Sequence, residues 1–224
     1  MNLNDIKAVI FDMDGLLIDS EPYWKIAEKK IFGNYGLQLD DELLRQVMGF
    51  RLNEVVLHWY KYKPWQNPDY NATENEILKE VTYLINQYAQ AMPGVYDVIT
   101  FFNKLNIPMS VASSSPKPLI DIVLQKLNIT NYFKIIHSAQ DEAYGKPHPG
   151  IFLTVAKLLN IEPESCLVFE DSLNGVIAAK AAKMKCIAIP EIGKYDDSRF
   201  TIADYIFNSL SDFIESIQTK NAAL

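Results

Sequence analysis

Four short patterns in this chain carry side chains suited to chemistry. Asp12-Met13-Asp14-Gly15 follows the apolar run Lys7-Ala8-Val9-Ile10-Phe11, and the hydroxyls Ser113-Ser114-Ser115 follow Met109-Ser110-Val111-Ala112. A lysine stands in Gly145-Lys146-Pro147-His148-Pro149, and the acidic pair Glu170-Asp171 precedes Ser172. Carboxylates gathered at one place repel one another unless a cation joins them. Few, hard oxygen ligands suit Mg²⁺, which keeps waters and takes a substrate phosphate. A carboxylate is also a covalent nucleophile toward phosphorus. A second one, two residues on, can protonate a leaving oxygen and later deprotonate a water. A lysine and a hydroxyl would stabilise charge on the transferring oxygens. The pattern therefore predicts phosphoryl transfer. Asp12 is the expected nucleophile and Asp14 the acid and base. Ser113 and Lys146 are expected on the phosphate, with Ser114 as the alternative hydroxyl.

These residues need elements that bring them together. The apolar runs ending at Phe11, Ala112, His137, Phe169 and Ile189 read as strands buried on both faces of a parallel sheet, with Tyr205-Ile206-Phe207 as a sixth. Helical spacing recurs between them, over Val95–Leu105, Leu119–Leu127, Ile151–Leu159 and Val176–Ala182. Alternation of strand and helix predicts an α/β fold, in which sites form at the carboxyl ends of the strands. All four patterns lie at such ends or in the loops that follow them.

The stretch from Leu17 to Met92 breaks the alternation and reads as helices only. Asp40-Asp41-Glu42 looks like a helix start, and Thr73-Glu74-Asn75-Glu76 like a capping box. Two prolines make Lys63 to Pro68 a loop. The expected architecture is a Rossmann-like parallel-sheet core, residues 1–16 and 93–224, with a helical cap, residues 17–92, inserted after the first strand.

Composition narrows the partners. The 224 residues carry a formal net charge of −7 and 49% hydrophobic residues, with no dense basic cluster of the kind nucleic-acid binding needs. The expectation is no nucleic acid, no membrane span and no leader segment. Cys166 and Cys186 lie in strand-like runs and read as core residues in a reducing compartment. A cytoplasmic monomer acting on a small phosphorylated metabolite fits this.

The four patterns, in this order, resemble the motifs of the haloacid dehalogenase superfamily: DxDG as Asp12 to Gly15, the strand-end serine as Ser113, the lysine as Lys146, and the acidic pair as Glu170-Asp171. The resemblance covers most of the chain outside the insert. It implies a Rossmann-like core, a helical cap, and Mg²⁺ held by Asp12, the Asp14 backbone carbonyl and Asp171. Placement of the insert resembles the β-phosphoglucomutase-like group. Asp19-Ser20-Glu21-Pro22, Gly49-Phe50-Arg51 and Lys63-Pro64-Trp65 are most similar to its sugar-phosphate phosphatases, which act on substrates such as 2-deoxyglucose 6-phosphate. Mutases of the group usually carry a histidine in the helix after the first motif; here Trp24 stands in that place, which favours hydrolysis. β-Phosphoglucomutase activity is the enzyme alternative. A phosphoaspartate signalling module is the non-enzyme one, opposed by Asp14.

Each site residue also has a plainer reading. Ser113 could cap a helix before Pro116, and Lys146 could be a solvated loop charge. Glu170 is either a partner for Lys146 or bonded to a water on the metal. His148 is expected to brace its loop. Arg51 is either a substrate contact or a surface charge. Ser20, Glu21, Trp24, Trp59 and Trp65 are expected to pack the cap, with one or two touching a sugar.

Overall fold

In the computed structural model, which describes residues 5–191 and 198–222, the six expected runs all form strands. These are β1 (Ala8–Phe11), β2 (Met109–Ser113), β3 (Phe133–Ser138), β4 (Cys166–Glu170), β5 (Lys185–Ala188) and β6 (Tyr205–Ile206). They make one parallel sheet in the order β3-β2-β1-β4-β5-β6. A run of β-formers with no alternation is stable only with both faces covered. Alternate residues of β1 show the covering: Val9 and Phe11 enter one apolar cluster, Ala8 and Ile10 the other. On the first face Phe11 stacks on Phe169 at 5.0 Å, and Phe102 and Phe213 pack edge-on against Phe169. Cys166 and Cys186 are buried and free, as core residues.

Between β1 and β2 lie α1 (Glu21–Asn34), α2 (Asp41–Leu44), α3 (Leu52–Tyr62) and α4 (Tyr70–Tyr88). The core helices follow as α5 (Val95–Lys104), α6 (Lys117–Lys126), α7 (Gly150–Leu159), α8 (Leu173–Ala181) and α9 (Leu210–Ala222). This is the expected fold class, a Rossmann-like sheet with a helical insert after its first strand. The chain leaves and re-enters the core side by side. Asp19 N–H donates to the Gln90 carbonyl at 2.9 Å, and Met92 N–H to that of Leu17 at 3.2 Å.

The insert has its own apolar stripes at helical spacing: Ile77, Val81 and Ile85 on α4 face Ala27, Ile31 and Phe32 on α1, and Trp59 of α3 is fully buried. Asp40 caps α2, accepting from the N–H groups of Glu42 and Leu43. The Thr73 expectation is corrected. α4 starts a turn earlier, capped by Asp69, whose carboxylate accepts from Ala72 N–H at 3.0 Å. Thr73 lies inside the helix, buried, with its hydroxyl donating to the Asp69 carbonyl at 2.9 Å. An acidic cap just after Pro68 starts the helix before the threonine can. Among the described residues no helix is long and apolar enough to cross a membrane.

Candidate active site

β2, β1 and β4 are neighbours, and the strand order reverses between β1 and β4. A crevice opens outside the carboxyl ends at such a switch point. Asp12 follows β1, Ser113 ends β2, Glu170 ends β4 with Asp171 next, and Lys146 arrives from the loop before α7. The sheet thus brings these four segments to one rim.

Lys146 is the centre of the floor and only 3% exposed. Its Nζ donates to Asp12 Oδ1 at 2.6 Å, to the Ala112 carbonyl at 3.3 Å, and to Glu170 Oε1. The other Glu170 oxygen accepts from the Ser172 N–H at 3.1 Å and its hydroxyl at 3.0 Å. Glu170 is therefore the partner of Lys146, one of its two expected readings. Close packing here depends on Gly175: a Cβ there would lie 1.9 Å from the Glu170 carboxylate.

Burial drives the electrostatics of the floor. It pushes Asp12 up to about 7, against the pull of Lys146, with Glu170 and Asp14 adding to the rise. Burial also raises Asp171 well above its usual range, with Asp12 and Glu170 reinforcing it. Lys146 is held above the normal lysine range; burial opposes this, but Asp12 and Glu170 outweigh it. Oxygens of Asp12, Glu170 and Asp171 lie within 4.8 Å of one another. One lysine does not balance three buried carboxylates, and the set is all hard oxygen, so a cation such as Mg²⁺ fits it. The Asp14–Gly15 turn closes over this cluster. Gly15 has φ +70°, and a Cβ there would meet Asp171 Oδ2 at 2.3 Å, so glycine lets the turn and the acid approach.

Asp14 stands apart from that cluster. Its carboxylate accepts on Oδ1 from Ser20 Oγ at 2.7 Å and Trp24 Nε1 at 3.0 Å. On Oδ2 it accepts from Ser115 Oγ at 2.7 Å and Ser113 Oγ at 3.4 Å. Ser115, Ser20 and Trp24 thus gain contacts that sequence reasoning missed. The signal was there for two of them: Ser20 and Trp24 are four apart at the start of α1, a spacing that puts both on one face. Trp59 and Trp65 do pack the cap, Trp65 stacking on Tyr35 at 4.7 Å.

Two residues expected to meet substrate make contacts across the seam between insert and core. Arg51 lies outside the lining of the pocket. Its guanidinium donates to the carbonyls of Glu142 at 2.8 Å and Ala139 at 3.3 Å, and pairs with Glu54 at 2.7 Å. Ser114 lines the pocket, but its hydroxyl donates to the Gly49 carbonyl at 2.7 Å. His148 accepts from Gly150 N–H at 3.1 Å and braces its loop. The pocket has Asp12, Asp14, Ser113 and Asp171 at its base. Above them the insert contributes Glu21, Trp24, Lys25 and Glu28 from α1, Arg45 just after α2, and apolar Leu44, Val47, Leu52 and Val55.

The profile of haloacid dehalogenase-like hydrolases matches residues 9–189. The chain belongs to that family, in its β-phosphoglucomutase-like group. It is 35% identical to Hexitol phosphatase B of Escherichia coli K12 over 208 residues, 92% of this chain and 94% of the relative. It is 31% identical to a phosphorylated carbohydrates phosphatase of Thermotoga maritima, over 81% of this chain and 84% of the relative. The crystal structure of β-phosphoglucomutase from Clostridium difficile superposes with a TM-score of 0.84 at 27% identity, covering 96% of each chain.

Proposed function

We propose that this hydrolase is a Mg²⁺-dependent phosphatase of small sugar phosphates, of the hexose or hexitol class, working through an aspartyl-phosphate on Asp12. One observation carries the reading: two carboxylates two residues apart sit in unlike surroundings. Asp12 is locked against Lys146 in a buried cluster, and Asp14 faces hydroxyl and indole donors beside the pocket. Such a split divides nucleophile from acid and base.

In this reading Asp12, the Asp14 backbone carbonyl and Asp171 hold Mg²⁺, which when bound offsets charge on the phosphoryl oxygens. An Asp12 oxygen attacks phosphorus and the ester P–O bond breaks. Asp14 gives its proton to the departing sugar oxygen. A water then attacks phosphorus, Asp14 takes a proton from it, and the bond from phosphorus to Asp12 breaks to free phosphate. Lys146 aims Asp12 and, with Ser113, faces the transferring oxygens with positive or hydrogen-bonding groups. Residues 17–92 act as the cap that shuts out bulk water, with Arg51 and Ser114 fastening it to the core. The enzyme acts as a cytoplasmic monomer.

The relatives named as phosphatases of hexitols and of phosphorylated carbohydrates support this substrate class. β-Phosphoglucomutase, the second reading, has a structural neighbour in its favour. Trp24 weighs against it, because an indole N–H only donates and cannot shuttle a proton. Phosphate release from a panel of phosphorylated metabolites tests the proposal. Hexose and hexitol phosphates should be turned over with Mg²⁺, and a chelator should stop the reaction. Isomerisation of β-glucose 1-phosphate with a bisphosphate primer and no phosphate release would contradict it.

A further inference from the structure

Two acids of α1, Glu21 and Glu28, line the pocket and are not used by the chemistry, and Glu28 is the more deeply buried. Glu28 is 7% exposed and lines the same pocket as Asp12 and Asp14. Among the described residues its buried Oε2 meets no donor at full hydrogen-bond geometry, and the buried Trp59 Nε1 meets no acceptor at it. The Trp59 indole acts as a donor to Glu28 and partly offsets the effect of burial on it, though the contact falls short of full hydrogen-bond geometry. That one weak contact leaves most of the carboxyl's hydrogen-bonding capacity unused among the described residues. Buried polar groups are nearly always paired, so an under-satisfied carboxyl on a residue that lines a pocket marks a place for a ligand's donor.

The helix sets the distance. Trp24 and Glu28 are four residues apart on α1 and share a face. Trp24 meets Asp14, the expected proton donor to the ester oxygen. Glu28 lies one turn farther along, about 6 Å. The remaining acid of this face, Glu21, sits at the other end, with its Cγ 3.4 Å from where a Gly15 Cβ would be. Lys25 is taken by Glu191 at 2.7 Å. Leu44, Val47, Leu52 and Val55 line the same pocket with side chains that offer no hydrogen bond, and Arg45 is the other cation of that lining.

We propose that Glu28 is a specificity-determining residue that reads hydroxyls at the end of the substrate remote from the phosphate. It thereby selects phosphorylated polyols or sugars with an uncharged tail about four or more carbons long. This rests on the phosphatase reading and adds the group that measures the sugar. A hydroxyl matches Glu28 because it can give and accept a hydrogen bond. Burial raises Glu28 to about 8, so near neutrality the carboxyl can do both as well.

The test has two arms, both with Mg²⁺ present. With the native enzyme, kcat/KM is measured for phosphorylated polyols of three, four, five and six carbons. It should rise by about tenfold or more across the series; a flat series overturns the proposal. In the second arm, the ratio of kcat/KM for a hexitol phosphate to that for p-nitrophenyl phosphate is compared between native enzyme and variants. Glu28→Leu should lower this ratio by about tenfold or more. Glu28→Gln, which keeps a donor and an acceptor, should stay within about threefold of native. An unchanged ratio in Glu28→Leu, or an equal loss in Glu28→Gln, overturns it. If Glu28→Leu does not fold, the native series and Glu28→Gln decide. No turnover of any phosphate ester would instead sink the phosphatase reading itself.

Discussion

The floor of the pocket and its cap wall both bury acids, and they treat them in opposite ways. On the floor, Lys146 sits between Asp12 and Glu170, and Ser172 closes Glu170 from the other side. In the wall, Glu28 Oε2 meets no donor at full hydrogen-bond geometry among the described residues, only the offset indole of Trp59. The floor is organised by the fold before any substrate arrives, as a preorganised catalytic site must be. The wall is left incomplete, which is how a site built to sense a ligand's hydroxyl differs from one built to react.

That contrast can be broken at either end. The largest effect should come from Asp12→Asn, which removes the nucleophile but keeps the shape. Turnover of a sugar phosphate should fall by about 10⁴-fold or more, read as phosphate release. Lys146→Met leaves Asp12 and Glu170 buried without their cation. Removing one partner of such a group costs about 3–5 kcal/mol, measurable by denaturant unfolding. Native-like stability in this variant would mean that the floor is no better paired than the wall.

Glu28→Gln should act with the opposite sign. In the folded chain Glu28 keeps its proton up to about 8, against 4.5 for an ordinary glutamate. Between those values unfolding releases a proton, so this contribution is full below 4.5 and is lost as pH rises through about 8. Native stability should therefore fall relative to Glu28→Gln between pH 6 and 8, by on the order of 1–2 kcal/mol. Parallel curves for the two proteins would contradict an under-satisfied acid in the wall. The smallest effect should be that of Trp24→Phe, which removes one donor from Asp14. Turnover of an alkyl phosphate should drop by about tenfold. p-Nitrophenyl phosphate, whose leaving group needs little protonation, should be less affected.

The same contrast explains what the sequence disclosed. Strands buried on both faces leave a continuous apolar signal, and a parallel sheet carries whatever follows each strand to one rim. Asp12, Ser113, Lys146 and Glu170-Asp171 could therefore be located before any coordinates. The finer contacts could not. Ser113, Ser114 and Ser115 are equivalent as a string, and only the turn after β2 sends Ser115 to Asp14 and Ser114 to Gly49. In the insert, a side chain's direction depends on how helices dock. Arg51 after a glycine looked suited to substrate, but the docking of α3 beside the loop after β3 spends it on backbone carbonyls. Glu28 looks like any helix-surface acid until α1 is seen to turn that face inward. Thr73 failed for a local reason, since Asp69 caps the helix first.

The central claim is that Asp12 carries the phosphoryl group during hydrolysis. Rapid acid quench of the native enzyme with Mg²⁺ and a hexitol phosphate labelled on phosphorus tests it directly. The label should appear on the peptide containing Asp12 within one turnover and decay as free phosphate forms, with no isomerised sugar phosphate. Steady release of phosphate with no label on that peptide, while Asp12→Asn keeps its activity, would contradict the account.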